Sequence, residues 1–217
     1  MKILYRIVNG LLALAVLPVA FFADLLYIEV SPTFLDYGLK ASLSIYRFIN
    51  TMLGKDSEYG WIVELIKNDD GEVSLSFPAA LEPYMDWLIA SGACFVFALL
   101  VAVFIVVWSC CSKNRWVPFA SSGVGFASII AMRICFSKFA NPLLDGTINV
   151  ADLFAEDGDS GFLTGLLGGL VSVDTFEISF CATIILVLYI GLLIWSLADF
   201  LVTIGETGEN NLKKAKH

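Results

Sequence analysis

The chain has 217 residues, 58% of them hydrophobic and only 16% charged, with a formal net charge of −8. A soluble domain carries about 25% charged residues. The apolar residues here also run in long blocks, so the chain reads as an integral membrane protein. Its acidic balance and scattered or terminal cations argue against nucleic acid as a partner.

Four blocks are long enough to cross about 30 Å of hydrocarbon, which takes about 20 helical residues. The first runs over 3–28. It contains Pro18, which membrane helices tolerate. Lys2 and Arg6 ahead of an apolar core also suit a signal peptide. The apolar stretch outruns a typical signal core, however, and Phe21-Phe22-Ala23 is a poor cleavage site, so a retained span is expected. Residues 29–86 form a loop. Within it, 33–53 has apolar positions at Leu35, Leu39, Tyr46, Ile49 and Leu53 that suit an amphipathic helix, starting after Ser31-Pro32 and stopped by Gly54. Such a helix would lie on the membrane surface or cap the bundle. Over 61–77, two apolar-rich runs flank Asp70-Gly71, and Val73, Leu75 and Phe77 alternate with Ser74 and Ser76, a hairpin pattern.

The second span covers 87–111 and is followed by a short link, 112–115. The third, 116–136, is richer in small and polar residues. Gly123, Ala127 and Ala131 recur at every fourth position on one face, where small residues let helix backbones approach in lipid. This predicts a centrally packed helix. A second loop, 137–175, holds the acidic run Glu156 to Gly161 and the glycine-rich stretch Phe162 to Val173. The latter is too short to span and is expected as a short interfacial helix. The fourth span covers 176–204, with a tail over 205–217. The expected fold is therefore an all-α membrane protein: four transmembrane helices in a bundle, capped by the amphipathic helix, the hairpin and the glycine-rich helix.

Charge sets the expected orientation. Lys2, Arg6, Lys113, Arg115, Lys213, Lys214 and Lys216 flank span ends closely on one side, against three acids, Asp199, Glu206 and Glu209. The other side holds the remaining six cations and eighteen acids. The positive-inside rule then puts both termini and the 112–115 link in the cytoplasm. The two long loops face outward, most simply across the cell membrane, and the outer region is strongly acidic.

Two charges fall within apolar blocks near the outer level, Asp24 and Arg133, roughly 25–32 Å along their helices at 1.5 Å per residue. An ion pair between them is one way to keep both in lipid, and separate snorkelling is the other. Asp199 near the cytoplasmic end of the last span is expected to meet Arg6 or Lys113. The five cysteines lie in or beside apolar segments, so a disulfide-stapled outer domain is not expected. Cys110-Cys111 sits at a membrane edge, where cysteines can be palmitoylated.

One stretch has the spacing of half a calcium loop. With Gly146 at position 6 of an EF-hand, Asp145, Asn149 and Asp152 occupy ligand positions 5, 9 and 12. Leu143 stands where position 3 needs a ligand. The competing reading is a turn at Asp145-Gly146 followed by a short helix capped by Asn149. No other cofactor is indicated. The single histidine, His217, leaves no His-based metal site or catalytic triad, and there is no CxxC and no phosphate-binding glycine loop.

Four spans with a long first outer loop resemble the topology of claudins and tetraspanins. The outer loops carry no cysteines, and Cys110-Cys111 lies on the wrong side for the tetraspanin loop motif, so neither family is assigned. The leading expectation is a non-enzymatic interaction or assembly subunit. Its partners would be the lipid bilayer and another membrane or extracytoplasmic protein, or a second copy of itself. The alternative is a subunit of an oligomeric channel or transporter, with Ser121, Ser122 and Ser128 on a polar-leaning third helix and an acidic, cation-attracting vestibule.

Overall fold

A computed structural model describes residues 2–32, 39–55, 80–111, 114–148 and 171–215. Among these, five helices and three strands follow in order: α1 (Lys2–Phe22), β1 (Asp24–Pro32), β2 (Leu39–Ser44), α2 (Ile45–Met52), α3 (Met85–Cys111), α4 (Trp116–Leu144), β3 (Val171–Ile178) and α5 (Phe180–Ala215). A single 3₁₀ turn, Glu82–Tyr84, leads into α3 with Pro83 inside it. The helices α1, α3, α4 and α5 are long and apolar enough to cross a membrane. Their outward faces carry exposed apolar side chains such as Leu11, Phe97, Val107, Ile134 and Ile194. Water would penalise that surface and hydrocarbon does not.

The fold is mainly helical, as expected, but it is not all-α. The first span stops at Phe22, short of the expected 28, because the chain changes period. From Leu26 to Glu29, apolar Leu26 and Ile28 alternate with Tyr27 and Glu29, the two-residue repeat of a strand with one packed face. An unbroken run of apolar letters hid this alternation. The expected helix over 33–53 is likewise corrected. Residues 39–44 are strand, and only Ile45–Met52 is helical. The Ser44 side chain accepts the Arg47 amide at 3.2 Å and so starts α2. The start of the fourth span also moves: Phe176–Ile178 belong to β3, and α5 begins at Phe180. The end of the expected glycine-rich helix, 171–173, is strand, while 162–170 and the hairpin at 61–77 lie outside the described residues. The third span is longer than expected, continuing to Leu144 with Pro142 in its last turn.

Chain contacts divide the molecule into two compact units. The first contains Met1–Val19, Ala93–Ala131 and Thr183–His217. All four long helices contribute to it. Tyr5 of α1 stacks on Trp195 of α5 with ring centroids 5.1 Å apart. Trp116 of α4 meets Phe200 of α5 at 5.3 Å. The Tyr189 hydroxyl of α5 donates to the Ala98 carbonyl of α3. The buried positions of α4 in this unit are Pro118, Ser122, Gly125 and Ile129, spaced three or four apart along one stripe.

The second unit contains Ala20–Gly92 and Met132–Ala182. Its centre is an antiparallel sheet of order β2-β1-β3. The register pairs Leu26 with Leu43 and Ile178, and Ile28 with Ala41 and Phe176. It pairs Tyr27 with Ser42 and Glu177, and Glu29 with Lys40 and Thr175. Directly opposed residues share a face, so one face is apolar and the other polar. Phe176 on the apolar face contacts Phe136 and Phe139 of α4, with centroids 5.1 and 6.1 Å away. On the polar face the Tyr27 hydroxyl donates to Glu29 at 3.0 Å, and Lys40 pairs with Glu29 at 3.1 Å. The α2 helix packs Tyr46 against Phe21 and Phe22 at the end of α1. It leaves Ile49 and Leu53 exposed, as an interfacial helix does.

Candidate functional site

The first unit concentrates polar groups among its helices. Arg115, just before α4, donates from Nη1 to the Asp199 carboxylate of α5 at 2.6 Å and to the Thr203 hydroxyl at 2.6 Å. The two charged side chains are only 12% and 5% exposed. The sequence expected Arg6 or Lys113 to meet Asp199; the structure pairs it with Arg115, placed by the turn into α4, and Lys113 lies outside the described residues. One helical turn earlier on α5 lies Trp195. Its Nε1, the Asn9 Oδ1 of α1 and the Ser109 Oγ of α3 are buried without a hydrogen-bond partner among the described residues. Asn9 is 2% exposed. Gly10, beside it, faces the Ser109 Cβ. A buried group of this kind costs about 1–3 kcal/mol when unsatisfied. Three of them occur in the same unit as the Arg115–Asp199 pair. Ser122 and Ser196, also buried, donate instead to carbonyls of their own helices, those of Pro118 and Leu192.

The expected packing face of the third span is displaced. Ala127 is exposed, and Gly123 and Ala131 are half-buried. A Cβ added at Gly123 would meet Leu193 at an ordinary 3.9 Å. The close approach is at Gly125, where an added Cβ would lie 2.5 Å from Tyr189 Cζ and 2.8 Å from its oxygen. The fourth-position repeat of small residues does not coincide with the buried stripe of the helix within this chain. Combined with Ser122 and Ile129, Gly125 would have marked that stripe.

In the second unit, Asp24 opens β1 rather than ending a helix, and Arg133 lies on α4. No ion pair joins them among the described residues. Arg133 instead lines an open cavity of about 340 Å³ between α4 and β3. Its walls include Phe136, Ser137 and Asn141 from α4, and Phe176 and Glu177 from β3. The Ser137 hydroxyl lies 3.4 Å from Asn141 Oδ1. On the same end of α4, Lys138 Nζ sits 4.4 Å from the centroid of Trp87 at the start of α3. Sequence reasoning noted Arg133 but missed the cavity, because residues 171–178 look like the approach to a span.

The half calcium loop is visible only at its start. Gly146 has φ +76°, the left-handed conformation that ends helices. The Asp145 carboxylate interacts with the Thr147 hydroxyl, and its Oδ1 accepts the Thr147 amide at 2.9 Å; the side-chain hydrogen bond first, and the amide second, hold its carboxyl below the ordinary value of 3.8. Ile148 folds back, its amide donating to the Pro142 carbonyl at 2.9 Å. This is the turn that the competing reading describes. Asn149 and Asp152 lie outside the described residues. No cluster of three or more metal-ligating residues occurs among the described ones.

Comparisons of the chain with protein-family models, curated proteins and solved structures return no match.

Proposed function

We propose that this protein is a non-enzymatic membrane protein that acts as an interaction or assembly subunit through its sheet-bearing, acidic outer region. In this reading both termini are cytoplasmic, and the partner is another membrane or extracytoplasmic protein or a second copy of the chain. One observation carries it. The sheet is joined to membrane helices by single residues: Ala23 between α1 and β1, and Ser179 between β3 and α5. Among the described residues, β2 and β3 are the edge strands of the sheet, each with β1 as its strand neighbour. A strand edge is a ready template for another chain.

A photo-crosslinker at Ser42 or Thr175, in native membranes, tests this. A discrete protein adduct is expected at both sheet positions and none at lipid-facing Val107. The same lipid-sized adducts at all three positions would overturn the proposal.

The second reading, a channel or transporter subunit, draws its support from the buried polar groups of the first unit. Asn9, Ser109 and Trp195 place polar atoms among helices that otherwise present apolar faces. Ion flux through liposomes that falls on Asn9→Leu substitution would favour this reading over the first.

A further inference from the structure

Helix α2 has its faces reversed relative to a helix on a water-bathed surface. Tyr46, Ile49 and its C-cap Leu53, spaced three and four apart on one face, are exposed, Leu53 by 62%. Thr51, on the opposite face, is 2% exposed, and the N-cap Ser44 on that side is also buried. The buried hydroxyls are satisfied within the helix. Thr51 donates to the Arg47 carbonyl at 2.9 Å, and Ser44 accepts the Arg47 amide at 3.2 Å. A surface helix in water turns its apolar face to the core and its polar face to solvent. In α2 the apolar face points out, so the medium that suits this face is apolar.

The level of α2 identifies that medium. Ile7, Leu11, Leu14, Pro18 and Phe22 form an exposed stripe along α1 at helical spacing. Helix α1 has 21 residues, about 32 Å at 1.5 Å per residue, against about 30 Å of hydrocarbon. Phe22 therefore stands where acyl chains meet headgroups. Tyr46 packs on Phe22 with ring centroids 5.4 Å apart, and on Phe21 at 5.9 Å. The exposed face of α2 thus continues the lipid-facing stripe of α1 at the boundary. Tyrosine is a residue type that gathers at this depth.

We propose that α2 is an interfacial foot. Tyr46, Ile49 and Leu53 sink into the acyl–headgroup boundary of the bilayer that α1 crosses, and the occupant of this face is lipid. Helix α2 follows β2 directly, and Ala23 alone separates α1 from β1. The foot and the end of α1 therefore hold the β1–β2 ribbon at its open end, where Asp24 pairs with Ser44. The foot stands whether or not a protein docks on the sheet.

Fluorescence quenching of the full-length protein in phosphatidylcholine nanodiscs tests this. One environment-sensitive fluorescent amino acid is placed at Ile49, at Leu53 or, as a control, at Lys40, which is exposed on the polar face of the sheet. Phosphatidylcholine brominated near the top of its acyl chains is expected to quench the label at Ile49 and Leu53. Aqueous iodide is expected to quench the label at Lys40. Leu53→Gln removes one aliphatic anchor and should lower lipid quenching at Ile49 by up to about tenfold, the equilibrium equivalent of one aliphatic side chain leaving lipid. Iodide quenching at Lys40 in the same variant reports that the sheet is intact. Iodide quenching at Ile49 and Leu53 equal to that at Lys40 would overturn the proposal, because the face would then lie in water. Quenching by neither agent would also overturn it, because a second copy or another part of the chain would then cover the face.

Discussion

Among the described residues each unit holds a well-defined ion pair, and these two are built in opposite ways. In the first unit, Arg115 and Asp199 are nearly buried, 2.6 Å apart, and share Thr203 as a third member. In the second, Lys40 and Glu29 lie across neighbouring strands at 3.1 Å, with the lysine side chain 62% exposed. A buried charge that loses its partner is left in a medium that cannot solvate it, whereas an exposed one is taken up by water. Specificity of helix packing is thus concentrated in a few polar and close-contact positions of the first unit. The second unit is held by strand pairing and an aromatic cluster, and its charges stay on the surface. On its polar face Lys40 and Glu177 are exposed, while Tyr27, Glu29, Ser42 and Thr175 are half-buried.

The comparison breaks most sharply at Asp199. Asp199→Ala should destabilise the protein by about 3–5 kcal/mol, because the Arg115 guanidinium is stranded. The double substitution Arg115→Met with Asp199→Leu should recover most of that loss, which separates the cost of an orphaned charge from the worth of the pair. Denaturant titration in detergent measures both. Equal losses in the single and double variants would show that the charges themselves hold the helices.

Next in size is Gly125→Ala, which drives a methyl into the Tyr189 ring. Tyr189 is fully buried and tethered to the Ala98 carbonyl, so it has little room to yield. Overpacking of this kind costs about 1–3 kcal/mol. Gly123→Ala two residues away has only Leu193 to meet and should be neutral or slightly stabilising, since alanine favours helix. A matched pair of thermal melts checks both, and comparable losses at the two positions would place the contact surface wrongly.

These two glycines also show what the sequence could and could not disclose. Length and apolarity made four spans legible, because crossing a bilayer imposes a length that few other structures share. The need of Asp199 for a cation was legible for the same reason: a charge in lipid must be matched. The sheet was not legible. Its strands abut the spans, so Leu26, Ile28, Phe176 and Ile178 merged into the apolar runs of α1 and α5. Only the alternation with Tyr27, Glu29, Thr175 and Glu177 marked them. The identity of Asp199's partner and the role of Gly125 depend on helix rotation, which a repeat of small residues does not fix when glycine, alanine and serine occur on several faces. The cavity at Arg133 needed residues from α4 and β3, far apart in sequence, and nothing local announced it.

The smallest expected effects are on the exposed charges of the second unit, and they differ in sign with pH. The Lys40 ammonium is held above its usual 10.5 mainly by its hydrogen bond to Glu29. A cation with a raised value in the folded state adds stability that is complete below 10.5 and lost as pH climbs through the raised value. Asp145 runs the other way. Hydrogen bonds from the Thr147 side chain and then from the Thr147 amide lower its value. Its contribution is complete above 3.8 and disappears as pH falls through the lowered value. Both groups are solvent-exposed, so neither should move the global melting point, and a local probe is required. Amide exchange at Thr147, corrected for its intrinsic pH dependence, should lose protection only in acid. In Asp145→Ala it should lack that protection at every pH. The same amide reports on the calcium reading: an ion bound at Asp145 would compete for the oxygen that Thr147 now uses. Millimolar calcium should therefore leave Thr147 exchange unchanged if the residues form only a helix-ending turn. A calcium-dependent change at that amide would instead show that the half-loop recruits a metal.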